Sequence, residues 1–64
     1  TGMRPMEYLA RKRISEAKRL LSSTGRSVAE IAELTGYRDP TYFGAVFRRY
    51  EGTTPTEYRR TRTL

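Results

Sequence analysis

Apolar residues recur along the chain at spacings of three and four, and no stretch keeps the period of two that a half-buried strand requires. The first stretch, about 5–22, carries Met6, Leu9, Ala10, Ile14, Ala17, Leu20 and Leu21 on one helical face. Arg11, Lys12, Arg13, Glu16, Lys18 and Arg19 occupy its other faces. Pro5 suits a first helical turn, and the turn formers Ser22, Ser23, Thr24 and Gly25 stop the helix. A second helix is predicted over 28–35, with Val28, Ile31 and Ala32 inward and Leu34 to one side. Ser27-Val28-Ala29-Glu30 opens it as a capping box, in which the Ser27 hydroxyl accepts from the Glu30 amide and the Glu30 side chain reaches back. Gly36 ends it, because the residue just past a helix often needs a positive φ. Tyr37 and Arg38 then form the turn.

Asp39 and Pro40 are an N-cap and first-turn pair for a third helix over 40–51. Phe43, Val46, Phe47 and Tyr50 give it the strongest amphipathic pattern of the chain. Gly52 closes it, and Thr54 with Pro55 starts a short closing helix, about 55–60, whose Tyr58 folds back on the core. Arg59, Arg60, Arg62 and Leu64 read as a fraying basic tail. The predicted class is all-α: a helix-turn-helix with a long helix before it and a short one after.

One repeat crosses these boundaries. Gly2-Met3-Arg4-Pro5-Met6-Glu7-Tyr8 and Gly52-Thr53-Thr54-Pro55-Thr56-Glu57-Tyr58 share Gly, Pro, Glu and Tyr in register, 50 residues apart. The second copy closes a helical unit. If the first does the same, a similar unit stands upstream in the intact protein; the plain alternative is coincidence between two helix starts.

Composition narrows the function. With 64 residues, 13 Lys and Arg against 7 Asp and Glu, the net charge is +6. There is no Cys and no His, so disulfides, zinc fingers and His-dependent nucleophiles are excluded. The acidic residues scatter over capping and exposed positions, with no convergent acid–base pair, which argues against an enzyme. Apolar runs never exceed three residues and the mean hydropathy is −0.78, which leaves no membrane span or signal-peptide core. A chain this short buries only about 60% of the surface its unfolded form exposes, so its core is thin.

Helices 28–35 and 40–51, joined by Gly36-Tyr37-Arg38-Asp39, have the layout of a helix-turn-helix. Ala32 permits close approach at the crossing and Gly36 the sharp turn. In such a unit the second helix enters the major groove of double-stranded DNA with its N-terminal half. With Phe43, Val46, Phe47 and Tyr50 inward, Thr41, Tyr42, Gly44, Ala45, Arg48 and Arg49 are left outward. Thr41 can hydrogen-bond a base edge or phosphate, Tyr42 can stack on sugar or donate its hydroxyl, and Ala45 can meet a thymine methyl. Gly44 and Ala45 permit close backbone approach, while Arg48 and Arg49 suit phosphates. Arg38 in the turn can reach phosphate or pair with Asp39 or Glu33, and the first-turn amides at Ser27 can meet a phosphate. Each has a plainer role: Tyr42 bordering the core, Arg48 and Arg49 on a solvated face, Thr41 as a first-turn residue, Ser27 as a cap. A different function class is a protein- or membrane-docking module built on the basic amphipathic helix 5–22, although that helix has no Trp or Phe and the later helices need it to pack on.

The run Tyr8-Leu9, Arg13, Ala17, Leu20-Leu21, then Ser27-Val28-Ala29-Glu30-Ile31-Ala32, Gly36-Tyr37, Asp39-Pro40-Thr41-Tyr42-Phe43, Phe47-Arg48 and Gly52-Thr53-Thr54-Pro55 with Glu57-Tyr58-Arg59 resembles the AraC/XylS-type bacterial transcriptional regulators over nearly the whole chain. The resemblance implies a cytoplasmic, homeodomain-like DNA-binding region of two helix-turn-helix subdomains joined by a linker helix, of which this sequence matches the linker and the second subdomain. It implies DNA contacts at Pro40, Thr41, Tyr42, Gly44 and Ala45, with phosphate contacts near Arg38 and Arg48. A longer polar or basic side chain is common in the family where Ala45 stands. Family members usually carry a separate effector-binding or dimerisation domain and often recruit RNA polymerase. No cofactor is implied.

Overall fold

A computed structural model describes residues 5–62 as four helices: α1 (Pro5–Ser23), α2 (Val28–Leu34), α3 (Pro40–Glu51) and α4 (Pro55–Arg62). The long α1 packs against each of the other three, while α2 and α4 each lean on α3. Ile14, Ala17, Leu20 and Leu21 of α1 meet Ile31 and Ala32 of α2 and Phe43 and Phe47 of α3, all buried. Val28, Val46, Tyr50 and Tyr58 close the edges of this cluster. An aromatic chain runs through it, with Tyr37, Phe43, Phe47 and Tyr58 ring centroids successively 5.5, 6.0 and 5.6 Å apart in tilted and edge-on pairs. Such pairs add about 0.5–1.5 kcal/mol each beyond the apolar area they bury.

The ends of the helices follow the local chemistry of the sequence. Ser27 Oγ accepts from Glu30 N at 3.1 Å and Asp39 Oδ1 from Thr41 N at 2.9 Å, which satisfies first-turn amides of α2 and α3. The capping box is only half formed, because the Glu30 carboxylate pairs with Arg26 at 3.0 Å rather than returning to the Ser27 amide. Thr54 Oγ1 accepts from Glu57 N in the same way at α4. At the end of α2, Tyr37 N donates to Ala32 O and Gly36 N to Glu33 O, and Gly36 takes a φ of +98°. This paired closure places an apolar residue after the glycine against the last turn. Tyr37 accordingly joins the core at 8% exposure instead of lying in an open turn.

Several expectations shift. α1 runs one residue further than 22, and α2 stops at Leu34 with Thr35 as its C-cap. The apolar stripe of α1 is fully buried only from Ile14 onward, and Met6 and Leu9 are 84% and 46% exposed, on the wall of an open cleft rather than under a packed element. α4 extends to Arg62, and Arg59 is not part of a loose tail. Its guanidinium donates to Leu21 O at 3.1 Å and Thr24 O at 3.2 Å, at the C-terminal end of α1. Pro5 and Pro55, 50 residues apart, both begin helices; Gly2 lies outside the described residues.

Candidate nucleic-acid interface

The rotation of α3 is fixed by its aromatic seam. Phe43 and Phe47 are fully buried and Val46 and Tyr50 half-buried, which turns Thr41, Ala45, Arg48 and Arg49 to solvent. Thr41, Ala45 and Arg48 lie three and four residues apart, and so form one continuous stripe down the outer face. Gly44 flanks this stripe between Thr41 and Arg48, half-exposed, and a Cβ added there would meet nothing within 4 Å. Pro40 and the cap Asp39 are exposed at the leading end of the helix.

Tyr42 combines the two roles considered for it. The residue is 60% exposed, yet its ring centroid lies 6.0 Å from that of Tyr37, so it borders the core while remaining open to solvent. Arg38 is exposed in the turn, and among the described residues it pairs with neither Asp39 nor Glu33. Arg38, Tyr42 and Arg49 share one wall of an open cleft of about 680 Å³, whose opposite wall is Met6 and Leu9 of α1. Basic side chains thus line this cleft, while Ser27 stands exposed at the start of α2 with its oxygen engaged as a cap.

Much of the charge on α1 is directed inward. The Arg11 guanidinium lies 5.3 Å from the Tyr50 ring centroid and that of Arg13 5.5 Å from Tyr37, while Lys18 Nζ is 3.3 Å from Glu51 Oε1. Arg13 stays close enough to Gly36 that an added Cβ would come 3.1 Å from its Cζ, so the glycine and the arginine interlock at the turn. Burial pushes the Tyr37 phenol pKa up, and the nearby Arg13 charge partly offsets this. On the exposed side of α1, the Arg19 guanidinium holds the Glu16 carboxyl below its ordinary value by hydrogen bonding.

A family model described as a helix-turn-helix domain matches residues 1–61. The chain belongs to the AraC-type helix-turn-helix family. Among relatives of this AraC-type chain, an uncharacterised helix-turn-helix transcriptional regulator of Bacillus subtilis, YisR, is 51% identical over 59 residues, covering 92% of this chain and 21% of the relative. The transcriptional activator RhaR of Mannheimia succiniciproducens is 46% identical, with 92% and 21% covered. The chain therefore spans about a fifth of the length of these relatives. Two solved structures share the fold closely. The C-terminal domain of the response regulator yesN from Fusobacterium nucleatum superposes with a TM-score of 0.89 at 41% identity, covering 91% of this chain and 56% of that one. The DNA-binding domain of AdpA, solved with a target DNA, superposes with a TM-score of 0.90 at 38% identity, covering 95% and 55%.

Two residues of this AraC-type unit escape a reading of its sequence. Tyr37 is a core residue, and the signal for it was the apolar residue directly after a helix-closing glycine. Arg59 had no local signal, since its partners are 38 and 35 residues away.

Proposed function

We propose that this chain is a double-stranded-DNA-binding unit of a cytoplasmic bacterial transcription regulator, with the N-terminal half of α3 in the major groove. The observation that carries the reading is the division of α3 into a buried aromatic face and an exposed face of Thr41, Ala45 and Arg48, since a recognition helix must be held from behind and open in front. In this reading Thr41 and Tyr42 contact base edges or sugar, and Ala45 meets a thymine methyl. Pro40 and Gly44 let the backbone approach the groove. Arg38, Arg48 and Arg49 neutralise phosphates, and the first-turn amides at Ser27 meet one. The solved complex of the AdpA domain with DNA supports this, at 38% identity over nearly the whole chain. The intact protein carries an upstream helix-turn-helix unit, in line with the repeat at Pro5 and Pro55, and a separate regulatory domain, in line with relatives of which this chain spans about a fifth. Contact with RNA polymerase belongs to the same reading.

The test is titration of fluorescent duplex against salt. About four neutralised phosphates give a slope of log K on log salt near −3.6, or about two decades of affinity between 50 and 200 mM. Arg48→Ala weakens all duplexes alike and reduces the slope by about 0.9, whereas Thr41→Ala or Tyr42→Ala changes the preference among sequences. Binding indifferent to salt, or identical behaviour of the two variant classes, refutes the placement. A docking module on α1 has in its favour the exposure of Met6 and Leu9, but Arg11, Arg13 and Lys18 are engaged within the unit. No described helix is long and apolar enough to cross a membrane. Lys12→Ala and Lys18→Ala compared with Thr41→Ala, on duplex and on anionic vesicles, separate the two.

A further inference from the structure

One cation of α1 is built into the turn between α2 and α3. Arg13 is half-buried, and among the described residues its guanidinium pairs with no carboxylate. It rests on the turn instead. A Cβ built on Gly36 would stand 3.1 Å from Arg13 Cζ, 3.2 Å from Nε and 3.3 Å from Nη2, and because the central carbon is the nearest of the three, the flat face of the guanidinium lies over the glycine. The same group is 5.5 Å from the Tyr37 ring centroid, within cation–π range. The bare Cα of Gly36 therefore makes room for the arginine as well as allowing the positive φ.

Tyr37 passes this contact on to α3. Its buried ring meets those of Phe43 at 5.5 Å and Tyr42 at 6.0 Å. Phe43 is locked in the core, whereas Tyr42 is exposed, and so open a side chain otherwise exchanges among staggered rotamers. Tyr42 stands three residues before Ala45, which puts it beside the outer stripe of α3. Arg13, Tyr37 and Tyr42 line the same cleft, so side-chain contacts run from α1 to the outer face of α3.

We propose that Arg13 is a positioning residue for sequence preference: laid on Gly36 and Tyr37, it fixes the Tyr37 ring, which holds Tyr42 in the orientation that meets DNA. This rests on the DNA-binding reading above, and on the contact given there to Tyr42. Arg13 itself touches no DNA. Ordering Tyr42 in advance lowers the entropy lost when its contact forms. Lysine cannot substitute, since an ammonium has no plane to lay on the glycine and the ring.

The experiment uses the intact protein, a duplex selected from a random pool by binding, and its single-base-pair variants. The readout is the ratio of affinities for two duplexes, in which the folded fraction cancels, so a merely structural role leaves it unmoved. Arg13→Lys is expected to change the ratios by about threefold or more at the base pairs where Tyr42→Ala changes them, and to leave those that respond only to Thr41→Ala. Added to Tyr42→Ala, it is expected to change no ratio further, because the two act in series. Tyr37→Leu, which removes the intermediate ring, is expected to reproduce the change. Without DNA, Arg13→Lys is expected to shift the Tyr42 fluorine resonance of protein labelled with 3-fluorotyrosine, assigned through Tyr42→Phe. Equal weakening on every duplex, an unmoved Tyr42 resonance, or a salt slope reduced by about 0.9, which would put Arg13 itself on a phosphate, overturns the proposal. If Thr41→Ala changes preference and Tyr42→Ala does not, the DNA-binding reading stands and the role of Arg13 falls. If binding ignores salt and no α3 variant changes preference, both fall.

Discussion

Gly44→Ala is expected to move stability and DNA binding in opposite directions. The glycine lies within α3, between Thr41 and Arg48 on the outer side. Glycine in a helix interior costs about 0.5–1 kcal/mol relative to alanine, through backbone entropy. No atom lies within 4 Å of the Cβ that alanine would add, so no steric penalty inside the protein offsets that gain. At about 4–8 °C per kcal/mol for a domain of this size, the melting temperature should rise by about 2–8 °C. In the proposed pose on DNA, the new methyl group projects from the part of the helix that approaches the groove floor. Displacing the helix from its contacts by even a fraction of an ångström should weaken binding about tenfold, or 1.4 kcal/mol. The salt slope should not change, because no phosphate contact is removed. Thermal melts followed at 222 nm and duplex titration at one fixed salt concentration measure both effects. Raised melting temperature with unaltered affinity would show that α3 does not approach DNA at Gly44, and a lowered melting temperature would contradict the open surroundings described for it.

Other perturbations probe the scaffold. Phe47→Ala should cost about 3–5 kcal/mol of a total that for 64 residues is about 3–10 kcal/mol; a urea titration showing a loss below about 1 kcal/mol would remove Phe47 from the centre of the core. Gly36→Ala places a side chain at φ +98° and 3.1 Å from Arg13 Cζ, so the melting temperature should fall by about 4–16 °C, from a left-handed penalty of about 1–2 kcal/mol. The folded protein holds the Tyr37 proton where the unfolded chain releases it, so this part of the stability is full below the ordinary phenol value of 10.0 and is lost as pH rises through the folded value. Tyr37→Phe should flatten the alkaline decline of the urea midpoint, and an undiminished decline in that variant would assign the effect to other groups.

How far the sequence discloses the fold depends on how local each determinant is. Ser27, Asp39 with Pro40, Gly36 and Gly52 act within four residues of themselves, and the helices start and stop at or within two residues of where those signals place them. The inward set of α3 was equally legible, because Phe43 and Phe47 recur with the period of the helix. What escaped depends on partners distant along the chain. Arg59 looks like one more cation in a basic tail until α4 folds against the end of α1. Met6 and Leu9 share the stripe of Ile14 and Ala17, yet a stripe does not reveal where its covering partner ends. Glu30 had two competing partners, and the neighbouring guanidinium won over the backbone amide. Thr41, Ala45 and Arg48 could be assigned an outward direction from periodicity, but their sequence alone leaves a solvated face and a reading face indistinguishable.

The length of α1 also limits how this protein can change over evolutionary time. Its 19 residues form a rod about 28 Å long, comparable to the roughly 34 Å of one duplex turn. Because each helical residue turns by about 100° and advances about 1.5 Å, a single-residue insertion before Ile14 would swing everything ahead of it to a different side of the molecule. Seven inserted residues would nearly restore the direction, but at a displacement of about 10.5 Å. If the upstream helix-turn-helix unit proposed above is joined through α1, changes in rod length are therefore quantised, and drift in the spacing of its sites has to be absorbed by substitutions or by the DNA rather than by small insertions here.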